Sequence, residues 1–101
     1  MKLIGDALAA AGVSDIVECL RSDPVWIWVG GTFGSDITLQ ASWDGTTFFT
    51  FVDDTTAQVF TVDTFKLYEM PAGIFLRFLV GSGTSDVDVY VEGESLGDFT
   101  P

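Results

Sequence analysis

The sequence contains no histidine, and Cys19 is its only cysteine among 101 residues. Without histidine, Ser/His/Asp and Cys/His nucleophilic catalysis in their usual forms are excluded. One thiol can build neither a His/Cys zinc site nor an internal disulfide, so Cys19 reads as a small buried hydrophobe. Lysine and arginine together number 4, against 15 aspartates and glutamates, a formal net charge of −11. That shortage of cations excludes the phosphate-neutralising clusters that nucleic-acid binding needs, and it opposes contact with anionic membranes. No Gly-rich loop with a lysine opens a helix, so no phosphate-binding loop is present. No apolar run nears the roughly 20 residues of a membrane-spanning helix. The first residues, MKLIGDALAAAG, carry one lysine and then Asp6 inside their apolar part, a poor signal peptide. The expectation is a protein used without export or released by lysis.

Apolar material is plentiful. Hydrophobic residues make up 48% of the chain and charged residues 19%, ample to offset chain entropy and form one core. The excess also suggests that another subunit covers part of the apolar surface. An acidic shell favours solubility and would attract a basic partner surface.

Met1 to Gly12 is the only stretch with helical spacing, at Leu3, Ile4, Ala7, Leu8 and Ala11, within an arm over residues 1–14. Gly5 and Gly12 weaken it, and the expectation is an N-terminal arm that forms a short helix once docked. From Asp15 onward, short apolar strands alternate with turns. DIVECL (15–20) ends at RSDP, where Pro24 interrupts. VWIWVGG sets Trp26 and Trp28 on one face and Val25, Ile27 and Val29 on the other, which predicts a strand covered on both sides. ITLQASW alternates Ile37, Leu39, Ala41 and Trp43 with polar residues. Asp44-Gly45 then suits a two-residue type I′ hairpin turn, with TTFFTFV as the returning strand. AQVFTVDTFKLYEM predicts one strand and an irregular stretch, and MPAG a turn. IFLRFLV places Ile74, Leu76, Phe78 and Val80 on one side and Phe75, Arg77 and Leu79 on the other. VDVYVE turns Val87, Val89 and Val91 inward and Asp88, Tyr90 and Glu92 outward, and the tail GESLGDFTP lies over the surface. About seven strands with Gly-rich turns predict an all-β antiparallel β-sandwich or jelly roll over residues 15–101, preceded by the arm.

Three pieces stand in a telling order: GTFGSDITLQASWDGTTF, YEMPAGIFLRFLVGSG and TSDVDVYVE. Their pattern resembles a β-sandwich structural module of tailed-bacteriophage virions, over Val25 to about Glu92. Members of that group occur as capsid decoration or cement proteins, head fibres, and tail-fibre or adaptor modules. The resemblance implies a virion structural role and no catalytic position. This chain departs from the pattern in its short arm and in the bulk of Trp26 and Trp28.

Carboxylates are the one abundant reactive group, but a glycosidase needs a defined pair flanking a cleft, and no pair stands out. VDDTT and SDVDV could offer oxygens to calcium, yet neither has the spacing of a calcium loop, and solvated strand-end charges account for them more simply. Trp26, Trp28, Trp43, Tyr68 and Tyr90 could form a sugar-stacking platform. Core or subunit interface is the commoner use of such aromatics. The stripe of Phe75, Arg77 and Leu79 fits an interface anchored on an arginine, or cover by another segment of the same chain. Phe48 and Phe60 fall on the outer faces of their strands by the same reasoning.

Together these readings predict a non-enzymatic structural protein without catalytic, cofactor or metal sites. It would be a capsid decoration or cement protein, homo-oligomeric with a trimer favoured, bound to a major capsid or tail protein in the virion. The alternative is a tail-fibre, adaptor or head-fibre module that binds a receptor or glycan. The expected interface residues are Leu3, Leu8, Trp26, Trp28, Phe48, Phe60, Phe75, Arg77, Leu79 and Tyr90.

Overall fold

Every long strand of this chain passes to the opposite sheet before the next one begins. The computed structural model describes residues 1–99 and contains twelve strands. They are β1 (Lys2–Leu8), β2 (Ile16–Cys19), β3 (Asp23–Thr32), β4 (Ile37–Ser42), β5 (Phe49–Thr50), β6 (Val52–Asp53), β7 (Thr56–Ala57), β8 (Val59–Phe60), β9 (Thr64–Met70), β10 (Phe75–Val80), β11 (Asp86–Glu92) and β12 (Leu96–Phe99). One sheet has the order β1-β11-β3-β9. The other runs β12-β2-β10-β4-β5, with β8 also paired to β4, and β6-β7 form a small separate hairpin. All pairings are antiparallel. Crossing between sheets in this order is the winding of a jelly roll, here with β12 added beside β2.

The period-two patterns fix the two inner faces. Val25, Ile27 and Val29 of β3 and Val87, Val89 and Val91 of β11 meet Leu76, Phe78 and Val80 of β10 and Ile37, Leu39 and Ala41 of β4, all buried. Cys19 sits in this core. Burial, with a smaller push from Glu18, raises its thiol to about 11, so it remains protonated and unreactive at neutral pH.

The N-terminal segment is a strand and not the expected helix. β1 pairs with β11 along its length, with two irregularities near Gly5. A bare sheet edge beside β11 offers hydrogen bonds that a two-turn helix broken by glycines cannot match. Residues 9–15 then cross to the other sheet. Val80 N donates to Gly12 O, Ser14 N donates to Phe78 O, and Phe78 N donates to the Ser14 hydroxyl oxygen.

The first hairpin also differs from expectation. Asp44-Gly45 is not a two-residue turn, because the Asp44 carboxylate gathers the chain into a wider loop. Its Oδ1 accepts the backbone N–H groups of Thr46 and Thr47, each at 2.8 Å, and the Ser42 hydroxyl at 2.8 Å. Pairing resumes only at Phe49, opposite Ala41. The chain then leaves the sheet at Phe51 and returns at Gln58, and the β6-β7 hairpin makes up the excursion. Asp54 and Thr55 at its tip both have positive φ, 50° and 65°, as a type I′ turn requires. Leu39 holds both ends, since its carbonyl accepts from Phe51 N and its N–H donates to Gln58 O.

Over residues 57–70 the full strand is β9, paired with β3, and only short pairings precede it. One further expectation is corrected. The tail is not loose cover, because β12 pairs with β2; Thr100 and Pro101 lie outside the described residues.

Candidate functional site

The outer face of the four-stranded sheet is where unburied apolar surface collects. Leu3, Tyr90, Trp28 and Phe65 stand opposite one another in register across β1, β11, β3 and β9. Two residues along, Glu92, Trp26 and Leu67 form the next row. Strand alternation puts these side chains outward because their neighbours Val25, Ile27, Val89 and Tyr68 fill the core. Phe65 is 61% exposed, and Leu3, Trp26 and Leu67 are each 40% exposed. The chain thus covers one face of β3 and leaves its tryptophan face uncovered, where the sequence predicts cover on both sides.

The rings pack against each other. Trp26 and Phe65 meet edge to face, with centroids 4.8 Å apart and an interplanar angle of 77°. Trp28 and Tyr90 are 5.2 Å apart and tilted by 55°. The Trp28 indole lies over Gly30, where a Cβ would come within 2.7 Å of its ring. A side chain there would displace the indole, so Gly30 lets the tryptophan lie down on the sheet. Two hollows flank these rings. One, of about 390 Å³, is lined by Pro24, Trp26, Glu92, Gly93 and Glu94. The other, of about 520 Å³, is lined by Met1, Trp28, Phe65 and Tyr90.

The charged side chains around the face are mostly acidic. Glu69, Glu92 and Glu94 are exposed at its margin, with Asp88 and Asp63 at the far end, where they accept the N–H groups of Ala7 and Gly31. All four basic side chains are engaged elsewhere. Lys2 pairs with Asp98, Arg21 with Asp23 and the Ser95 hydroxyl, Lys66 with Gln58, and Arg77 with Gln40. The positive group that does reach the face is the Met1 amino group, 3.2 Å from Glu92.

The expected interface residues divide. Leu3, Trp26, Trp28 and Tyr90 share this one face. Leu8 is half-buried against the edge of the core. Phe75, Arg77 and Leu79 line the outside of β10, half covered by their own chain. Arg77 Nε donates to Gln40 Oε1 at 2.8 Å, and the guanidinium lies 4.0 Å from the centre of the Phe48 ring. Val13 bridges to Leu79. Phe60 is not on an outer face. The excursion at residues 51–58 resets the strand phase, and Phe60 pairs with inward Ile37 and packs on Phe78.

Phe65 and Leu67 are members of the face that sequence reasoning missed. Their alternation was legible only by letting Lys66 point inward beside Tyr68 and Met70. Lys66 can do so because Gln58 Oε1 accepts its ammonium at 2.9 Å and the Tyr68 ring lies below it.

The aromatics weighed as a sugar platform do not assemble. Tyr68 is in the core, and Trp43 is on the loop after β4, in the other sheet. Among the described residues no group of three or more His, Cys, Asp or Glu is arranged to hold a metal ion. The VDDTT run is the tip of the β6-β7 hairpin. No protein-family model matches this chain, and comparison with curated proteins finds no match.

Proposed function

We propose that this chain is a non-enzymatic structural protein of a tailed-phage virion, of the capsid decoration or cement kind, attached to a larger assembly through the outer face of its four-stranded sheet. The observation that carries this reading is the registered row Leu3, Tyr90, Trp28 and Phe65, exposed at its two ends and half-exposed at Trp28 and Tyr90, on a sheet whose other face is packed. Trp26 and Leu67 of the next row, each 40% exposed, extend it, and a contiguous exposed apolar patch rimmed by polar residues is the mark of an interaction site. The virion setting rests on the sequence resemblance.

The test is co-sedimentation of the purified chain with capsids and, separately, with tails from the phage that encodes it. Association that a Phe65→Ser/Leu67→Ser variant loses is the expected outcome. A folded chain that pellets with neither particle overturns the reading.

A second reading has one specific observation in its favour. Trp43 is 63% exposed on the loop that Asp44 organises, a placement suited to a fibre or adaptor module touching a receptor or glycan. Glycan-array binding that Trp43→Ala abolishes, together with no attachment to capsids, would favour it.

A further inference from the structure

We propose that the occupant of the outer sheet face is a different protein, one that presents an apolar shelf and seats a lysine or arginine in the hollow between Trp26 and the carboxylates of Glu92 and Glu94. This inference rests on the docking role proposed above and identifies the partner by its chemistry.

The composition of the hollow favours a cation. It is lined by one indole, one proline and two glutamates, with no basic side chain among them. An ammonium or guanidinium entering it would meet the Glu94 carboxylate, the Glu92 carboxylate that now pairs with the Met1 amino group, and an aromatic surface, which reinforce one another once water is excluded. The hollow borders the rows that carry Trp28, Phe65 and Leu67, so one partner surface can fill both.

The same charges argue against a second copy of this chain on this face. A two-fold contact would set the acidic margin of one copy, at Glu69, Glu92 and Glu94 or at Asp63 and Asp88, against that of the other. Lys66 and Arg77 are held by Gln58 and Gln40, which leaves Lys2, Arg21 and the Met1 amino group, each already beside a carboxylate of its own chain, to answer them. Each chain also carries a net charge of −11. Like charges brought together at a contact cost several kcal/mol and suppress such pairings. A trimer of this protein would have to form through other surfaces. Ring geometry argues against a sugar, because Trp26 and Phe65 meet at 77° and present no common plane for stacking. The acidic margin argues against a lipid surface of negative charge.

The experiment is selection from a random peptide-display library on the immobilised full chain. Glu92→Gln/Glu94→Gln and Phe65→Ser/Leu67→Ser variants, each verified as folded by circular dichroism, serve as counter-targets. The expected peptides carry lysine or arginine beside two or more aliphatic or aromatic residues. Synthesised, they should bind each variant about tenfold more weakly than the parent, and more weakly in ~0.5 M salt. Enrichment without a basic bias, no enrichment over the variants, or binding indifferent to the two glutamates overturns the inference. So does salt-induced dimerisation in sedimentation velocity that Leu67→Ser abolishes, which would assign the face to a second copy. Flotation with neutral phosphatidylcholine vesicles would assign it to lipid and overturn it equally. Failure here leaves capsid attachment to be judged by its own co-sedimentation, so the two ideas fail separately.

Discussion

The Tyr68 hydroxyl donates to Gln58 Oε1 at 2.6 Å, and this buried bond ties β9 to the point where the chain rejoins the other sheet. Gln58 is nearly saturated, since the same oxygen accepts Lys66 and its amide donates to Thr56 O. Tyr68→Phe deletes one donor and leaves the oxygen a partner, so it should cost about 1 kcal/mol in urea unfolding. Gln58→Leu strands the buried hydroxyl and should cost about 2–3 kcal/mol. Equal losses would mean that Gln58 is not the hub.

Tyr68 should also set an alkaline limit. Burial, and then the charge of Asp53, raise its phenol above the ordinary range. The stabilisation is whole below the unfolded value of about 10 and falls as pH rises above it, by up to ~1.4 kcal/mol per unit. Stability measured from neutral to strongly alkaline pH should decline above that point, and Tyr68→Phe should flatten the decline.

Asp44 should titrate at the acid extreme. Hydrogen bonds from the N–H groups of Thr47 and Thr46, and from Ser42, favour its charged form and lower it to about 2. Its contribution is present above the unfolded carboxylate value and disappears as pH falls through about 2. Carboxyl NMR should find its midpoint there, moving toward the ordinary value in Ser42→Ala. An ordinary midpoint in the parent would remove Asp44 as organiser of the loop.

Thr55 in the β6-β7 hairpin and Gly34 in the loop between β3 and β4 respond oppositely to substitution. Thr55, β-branched at φ 65°, is strained, so Thr55→Gly should gain about 0.5 kcal/mol after the entropy cost of glycine. Gly34 has the opposite constraint, because a Cβ there would lie 1.5 Å from the Thr84 carbonyl oxygen. Gly34→Ala must push two loops apart and should cost about 3 kcal/mol or more in thermal or urea unfolding. A tolerated alanine would show that these loops are free to separate.

Face and core should separate by cost. Phe65→Ser and Leu67→Thr should each change unfolding free energy by about 1 kcal/mol or less, the size of an exposed cross-strand pair. Leu39→Ala, fully buried, should cost about 2–5 kcal/mol. Large losses at Phe65 and Leu67 would make the face a structural necessity and weaken its assignment to a partner.

Much of this architecture was legible in the sequence wherever alternation was clean. The inward sets of β3, β4, β10 and β11 follow directly from their apolar phase, and with them the sandwich. Legibility failed where a neighbour decided. Residues 2–8 carry a helical pattern, but the open edge of β11, more than eighty residues away, draws them into a sheet. Asp44-Gly45 has the composition of a tight turn, but its carboxylate prefers two backbone N–H groups further on. The positive-φ turn falls instead on Asp54-Thr55, which has no glycine to announce it. Of the candidate docking face, the tryptophans and Tyr90 were visible, while Phe65 and Leu67 were hidden by an inward lysine that only Gln58 makes tolerable.

The sheet order has a consequence for synthesis. β11 lies between β1 and β3, so the earliest strand has no permanent neighbour until residues near 90 have been made. A nascent chain would hold β1 and one side of β3 unpaired for most of translation, with Trp26, Trp28 and the core valines exposed to crowding neighbours. Closing such distant pairings is slow. Yield in the cell should therefore depend on chaperone supply more steeply than the finished fold's stability would suggest.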